Sequence, residues 1–200
     1  MTTSVTESLK DGARYVMENK KVLYLLILVA ISSVFVMPYA VLMPVFAKDI
    51  LDVGAQGLGT LMACSGAGAF IGALTLAQYN TRIDYRKFIL ASTITMSAAL
   101  LAFSFSTVFA VSCALLAVLG WGIVSQAASV NTLIQQEVPN ELRGRVMSFY
   151  AMSFMGFMPV GAFQAGIISH FIGAPGALSI GAVAAALPAV YLMFFYKKDL

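Results

Sequence analysis

The arrangement of positive charge between six long apolar stretches constrains this chain more than any other feature. Each stretch is about 20 residues or longer, the length that a helix needs to cross a hydrocarbon core of ~30 Å. Eleven of the twelve Lys and Arg residues lie in alternate segments between the stretches, and Lys48 is the exception. Cations are enriched on the cytoplasmic side of membranes, so the pattern predicts six transmembrane helices with both termini in the cytoplasm. The predicted spans are residues 22–47, 57–79, 88–106, 108–130, 147–172 and 174–196.

Composition agrees with a membrane protein. Hydrophobic residues make up 60% of the chain and charged residues only 10%, against about 25% charged residues in soluble domains. The sequence predicts an all-α polytopic membrane protein, with a cytoplasmic segment at 1–21, a six-helix transmembrane domain at 22–196 and a cytoplasmic tail at 197–200. The net charge of +3 is sorted to one face, which is an orientation signal and argues against nucleic acid as a partner.

No motif in the sequence predicts a metal site, a cofactor or catalysis. Cys64 and Cys113 lie in apolar spans without a Cys or His neighbour at ligand spacing, so we expect them to be packing residues. No predicted span has Asp, Glu, Lys or Arg in its interior, and no nucleophile–base pair or phosphate-binding loop is present. The sequence therefore does not predict an enzyme.

The first two spans contain residues that affect helix shape and packing. Pro38 and Pro44 each remove a backbone hydrogen bond from the first span, which a membrane tolerates where neighbouring helices or water satisfy the freed carbonyls. Gly68 and Gly72 form a GxxxG pair that places two glycines on one face of the second span. We expect a bent first helix and close packing of the second, as either a static or a sliding contact.

Polar side chains within the spans are the candidates for ligand contacts. Amides cannot face lipid cheaply, so they must face a partner helix or a watery cavity. Gln126 and Asn131 lie on the fourth span and at its end, Gln164 lies in the fifth span, and Tyr39 follows Pro38. We interpret Tyr39, Gln126, Asn131 and Gln164 as candidate substrate-cavity residues. For Gln126, an interhelical hydrogen bond is the open alternative.

Two segments resemble exporters of the major facilitator superfamily. The run NTLIQQEVPNELRGRVMSFYAMSFMG resembles the end of the tenth helix, the following loop and the start of the eleventh. The stretch from MPVFAKDIL to GLGTLMACSGAGAFIGAL resembles the seventh and eighth helices of the enterobactin-exporter-like and macrolide-efflux-like branch. The resemblance implies that the six spans are helices seven to twelve, half of a major facilitator fold, preceded by a short amphipathic helix within residues 1–21. It also implies that the first, second, fourth and fifth spans line a central cavity.

The loop in the first of these segments also carries charge. The resemblance implies that Glu141, Arg143 and Arg145 form part of a cytoplasmic gate, through ion pairs that are made and broken during transport. The alternative is that the two arginines only enforce topology and bind lipid phosphate.

The resemblance implies a function that the residues alone do not identify. We expect the C-terminal half of a secondary exporter for a siderophore-like or drug-like small molecule, working by alternating access in a bacterial-type inner membrane. Its expected partner is an N-terminal six-helix half or a second copy of the chain. The alternatives are a half-size transporter that acts as a homodimer and a non-transporting membrane remnant or partner.

Overall fold

The computed structural model describes residues 5–79 and 84–195, which are helical apart from short turns. Arg82 and the predicted tail at 197–200 lie outside these residues. Two π-helical segments, π1 (Phe46–Ile50) and π2 (Met152–Gly156), lie between the α-helices. The helices in chain order are α1 (Val5–Glu18), α2 (Lys20–Phe35), α3 (Tyr39–Val45), α4 (Gly54–Tyr79), α5 (Tyr85–Ser104), α6 (Phe109–Glu137), α7 (Asn140–Ala151) and α8 (Met158–Phe195).

Within the described residues, five helical stretches are long and apolar enough to cross a membrane. They are Lys20–Ile50, Gly54–Gln78, Tyr85–Ser104, Phe109–Glu137 and Asn140–Ala189. The expected all-helical architecture with several membrane-spanning helices is therefore confirmed for the described residues. The predicted fifth and sixth spans both fall within the last stretch, which has 50 residues.

This last stretch changes direction at Gly173. Gly173 has φ 77° and ψ 164°, a non-helical conformation that glycine adopts without steric cost. A Cβ on Gly161 would lie 2.6 Å from the Val34 carbonyl oxygen, and one on Gly181 would lie 2.3 Å from that of Phe35. The chain therefore packs on the same end of α2 before and after Gly173.

The first stretch is interrupted at Pro38, where the sequence predicts a change in helix geometry. Asn19 caps α2 by accepting hydrogen bonds from the backbone N–H groups of Lys21 and Val22. The helix ends at Phe35, and Pro38 stands at the N-cap of α3. Pro44 lies inside α3, and the backbone widens into π1 directly after this helix. Because proline removes a backbone donor and clashes with the preceding turn, a continuous α-helix through both prolines is disfavoured.

Helices α4 and α6 run side by side at very short distance. A Cβ on Gly68 would lie 1.8 Å from the Ala117 carbonyl oxygen, and one on Gly72 would lie 2.8 Å from that of Trp121. From the other side, a Cβ on Gly120 would lie 2.0 Å from the Ser65 carbonyl oxygen. Lipid supplies no hydrophobic force between helices, so this backbone contact and the dispersion energy it permits hold the pair together.

Candidate functional site

Gln126 is buried between α6 and α5. Its side chain is only 2% exposed, and its Nε2 donates a hydrogen bond of 2.7 Å to Oγ1 of Thr93. The Thr93 hydroxyl in turn donates to the Ile89 carbonyl oxygen at 2.7 Å. The Gln126 amide therefore forms a hydrogen bond between two helices, which is the alternative to a cavity-facing role.

Tyr39 joins α3 to α4 directly after the break at Pro38. Its hydroxyl lies 2.8 Å from the Ser65 hydroxyl, within a hydrogen bond whose donor can be either group. Ser65 is buried on the α4–α6 contact. Tyr39 is half-buried, so one end of the side chain is fixed while the ring keeps some exposure.

The other two candidate cavity amides, Asn131 and Gln164, differ in their hydrogen bonds. The Oδ1 atom of Asn131 accepts a hydrogen bond from Nε2 of Gln135, one turn further along α6. The Oε1 atom of Gln164 is buried and has no hydrogen-bond partner among the described residues. Buried polar atoms are nearly always paired. Among the four predicted cavity residues, Gln164 is the one with a buried side-chain oxygen that has no partner among the described residues.

A cluster of charged residues lies at one end of the bundle, and we call it the charged end. Glu137, the last residue of α6, has its Oε1 atom 3.8 Å from Nζ of Lys21 and 3.8 Å from a guanidinium nitrogen of Arg86. The Tyr15 hydroxyl donates to the Glu137 carbonyl oxygen at 3.2 Å. Glu137 thus connects α1, α2 and α5 to the end of α6.

The three residues predicted for the gate lie beside this cluster with different contacts. Arg145 pairs with Asp11 of α1, at 3.0 Å between NH1 and Oδ2. The Nε of Arg143 donates to the Gln135 carbonyl oxygen at 3.1 Å, which satisfies an acceptor in the last turn of α6. Glu141 is exposed in the first turn of α7, where a carboxylate interacts favourably with the helix dipole.

Sequence reasoning missed Tyr15, Asp11 and Glu137, although one signal was available. Glu137 ends a 29-residue apolar helix on the face to which the cation-bearing segments are assigned. An acidic residue at that position is a natural partner for cations from neighbouring segments. Its two partners are 116 and 51 positions away, so only the assembled bundle identifies them.

Asp84 fixes the start of α5 and so helps to position Arg86. Its Oδ1 accepts hydrogen bonds from the backbone N–H groups of Arg86 and Lys87 at 3.1 and 3.3 Å. Slight burial acts to raise the pKa of Asp84, but hydrogen bonds from the backbone and ammonium of Lys87, together with that from Arg86, lower it below its usual value. The cap therefore remains in place at neutral pH.

The π2 segment is supported from α2. The Ser33 hydroxyl donates a hydrogen bond of 2.7 Å to the carbonyl oxygen of Phe154 within π2. Just before π2, the Tyr150 hydroxyl donates to the Ala127 carbonyl oxygen of α6 at 2.9 Å. Inserted π turns are frequent at functional sites. Here the segment is held between α2 and α6.

The long apolar helices define a multi-pass membrane protein. The model of the transmembrane secretion effector family matches residues 1–199. The chain belongs to this family, which is part of the major facilitator superfamily of transporters. No curated protein matches the chain.

Proposed function

We propose that this chain is the C-terminal six-helix carrier half of a secondary exporter, which moves a small siderophore-like or drug-like molecule by alternating access. The observation that carries the proposal is the family match over residues 1–199. The broken first helix and the π2 segment support it, because alternating access needs helices that bend at defined points.

Six crossings fit the dimensions of the chain. A straight helix of 50 residues would be ~75 Å long, more than twice the ~30 Å hydrocarbon core. The direction change at Gly173, with contacts to α2 on both sides of it, favours two crossings within Asn140–Ala189. The chain would then have the helix number of one half of a major facilitator fold.

We place the charged end in the cytoplasm, on the strength of the positive-inside rule. Lys21, Arg86 and Arg145 gather there, whereas Lys48 and Asp49 lie in π1. In intact cells, a membrane-impermeant maleimide should label a cysteine introduced as Val53→Cys. It should leave Asn140→Cys unlabelled until the membrane is permeabilised. The Cys64→Ala, Cys113→Ala background removes native thiols, and labelling in the opposite order would contradict the orientation.

The exposed apolar surface suits a partner half. Phe163 and Phe171 of α8 are 73% and 77% exposed, and Phe70 of α4 is 65% exposed. In the most apolar 18-residue stretch of α4 only 22% of the residues are buried, whereas in that of α5 50% are buried. Helix α4 therefore offers the broadest uncovered face. We assign it, together with the part of α8 that carries Phe163 and Phe171, to the contact with an N-terminal half.

Within this half we assign ligand contact to Gln164 and the inner gate to the charged end. Gln164 has a buried acceptor without a partner among the described residues. Glu137 and Arg145 make ion pairs across helix boundaries, and ion pairs of this kind can form in one state of a transport cycle and break in the other.

The test is transport by the assembled protein. Expressed alone, the chain should insert into the membrane and export none of a panel of neutral and amphipathic fluorescent dyes. Expressed with a six-helix N-terminal half from the same family, it should lower the accumulation of at least one dye, and Gln164→Ala should weaken the apparent affinity for that dye. Export by the chain alone, together with a stable dimer in detergent, would instead support the homodimer. No export from either arrangement would contradict the carrier function.

A further inference from the structure

Cys64 and Cys113 face each other across the α4–α6 contact. Gly68 packs on Ala117, and Gly72 packs on Trp121, and in each pair the residue numbers differ by 49. The same difference separates Cys64 from Cys113, so the two cysteines stand one turn before the first glycine pair on the same seam. The parallel register of the helices therefore brings them opposite each other.

Both cysteines are half-buried, so a small reagent can reach them. The close backbone contact at Gly68 limits how far the helices can separate at this level. A disulfide requires sulfur atoms at ~2.05 Å and a Cα separation of ~4.4–6.8 Å, and two cysteines at matching positions on closely packed helices are placed to approach each other.

We propose that Cys64 and Cys113 form a redox-sensitive site, at which a hydroperoxide converts the dithiol into a disulfide that joins α4 to α6. One thiolate attacks the terminal peroxide oxygen, which gives a sulfenic acid and releases an alcohol, or water from hydrogen peroxide. The second thiol then attacks the sulfenic sulfur and expels water. Two thiols are oxidised, the O–O bond is reduced, and atoms and electrons balance.

The position of the two cysteines along the helices favours a disulfide. Cys113 is four residues from the start of α6, and Cys64 is ten residues from the start of α4, which corresponds to ~6 and ~15 Å of helix. Both lie in the half of the bundle opposite the charged end. Under the orientation proposed above, that half is the outer one, where disulfides persist more readily than in the cytoplasm.

The bond has a structural consequence. It closes a loop of the chain that includes all of α5, which restricts the unfolded state and stabilises the folded one. The α4–α6 pair would then be held covalently in addition to its glycine contacts. Reduction restores two thiols and removes the added stability, so the site can respond to the redox state of its surroundings.

The purified, detergent-solubilised chain tests the proposal. After hydrogen peroxide or diamide, intact-mass spectrometry should show a monomer lighter by two hydrogen atoms, and dithiothreitol should restore the original mass. The oxidised chain should also unfold several degrees higher on heating, and both changes should be absent from Cys64→Ser and Cys113→Ser. As a matched control, Ala63→Cys in a Cys64→Ala background moves the thiol to an exposed position on α4 and should not crosslink.

Three results would overturn the proposal. The first is a monomer that keeps its mass or gains only oxygen, and the second is a crosslink that forms between two chains. The third is equal crosslinking from position 63, since it would show that the seam does not select the pair. None of these readouts requires transport, so they stay separate from the test of the carrier function.

Discussion

Replacing Gly68 by alanine should destabilise the chain by about 2 kcal/mol or more. The new Cβ would lie 1.8 Å from the Ala117 carbonyl oxygen and 2.6 Å from its carbonyl carbon. Both are backbone atoms, so no rotamer change relieves the overlap, and α4 and α6 must separate. Overpacking of this kind costs ~1–3 kcal/mol or more, and it also removes the short contacts that stabilise helix pairs in lipid. The measurement is the unfolding temperature of the detergent-purified protein.

Gly66→Ala is the matched control, because it makes the same chemical change on the same helix. A Cβ on Gly66 would meet nothing within 4 Å, so only the intrinsic helix preference changes, and alanine is favoured by up to ~1 kcal/mol. The two substitutions should therefore have opposite signs. On the partner helix, Gly120→Ala should behave like Gly68→Ala, since its Cβ would lie 2.0 Å from the Ser65 carbonyl oxygen. Equal stability of the Gly66 and Gly68 variants would mean that the helices do not meet along this seam.

The features that sequence predicts well here are local. The length of an apolar stretch determines whether it can cross a bilayer, and Pro38 disrupts its own helix whatever surrounds it. The break between Phe35 and Tyr39 is therefore found where the proline stands. The GxxxG spacing likewise places Gly68 and Gly72 on one helix face before any partner is known.

The features that sequence could not supply depend on which helices become neighbours. Gln126 could equally have faced a cavity or another helix, and Thr93 takes its hydrogen bond because α5 packs beside α6. Cys64 and Cys113 do not have the spacing of a motif, yet the register of α4 and α6 places them at matching positions on one seam. Glu141 is conspicuous in the loop motif, but Glu137 makes the ion pairs, since α2 and α5 both begin beside the end of α6.

This last difference leads to a prediction that separates the two acidic residues. If the charged end acts as the inner gate, Glu137→Gln should change the balance between the inward-open and outward-open states, whereas Glu141→Gln should not. Glutamine keeps the shape of glutamate and removes its charge. The variant therefore loses the attraction to Lys21 and Arg86 while leaving the hydrogen bond from Tyr15, which is made to the backbone of Glu137.

The expected size of the effect follows from the exposure of these groups. The side chains of Lys21, Arg86 and Glu137 are 43%, 33% and 28% exposed, and exposed ion pairs contribute ~0–1 kcal/mol each. Two pairs that form in only one state of the cycle can bias the equilibrium by up to ~2 kcal/mol, which is a change of up to roughly 30-fold in the ratio of states. Turnover by the assembled transporter should fall accordingly, and the difference between Glu137→Gln and the parent should shrink at high salt as screening weakens the pairs.

The structural alternative gives a different pattern. If Glu137 only ties helices together, Glu137→Gln should lower the unfolding temperature of the solubilised chain, with turnover falling only in proportion to the amount of folded protein. A gating role instead leaves the amount of folded protein and the affinity for the transported dye nearly unchanged, because the charge acts on the equilibrium between states rather than on the ligand. Equal loss of turnover in Glu137→Gln and Glu141→Gln would count against both the gating role and the structural role of Glu137. The two carboxylates have different surroundings, and of the two only Glu137 lies between two cations from other helices.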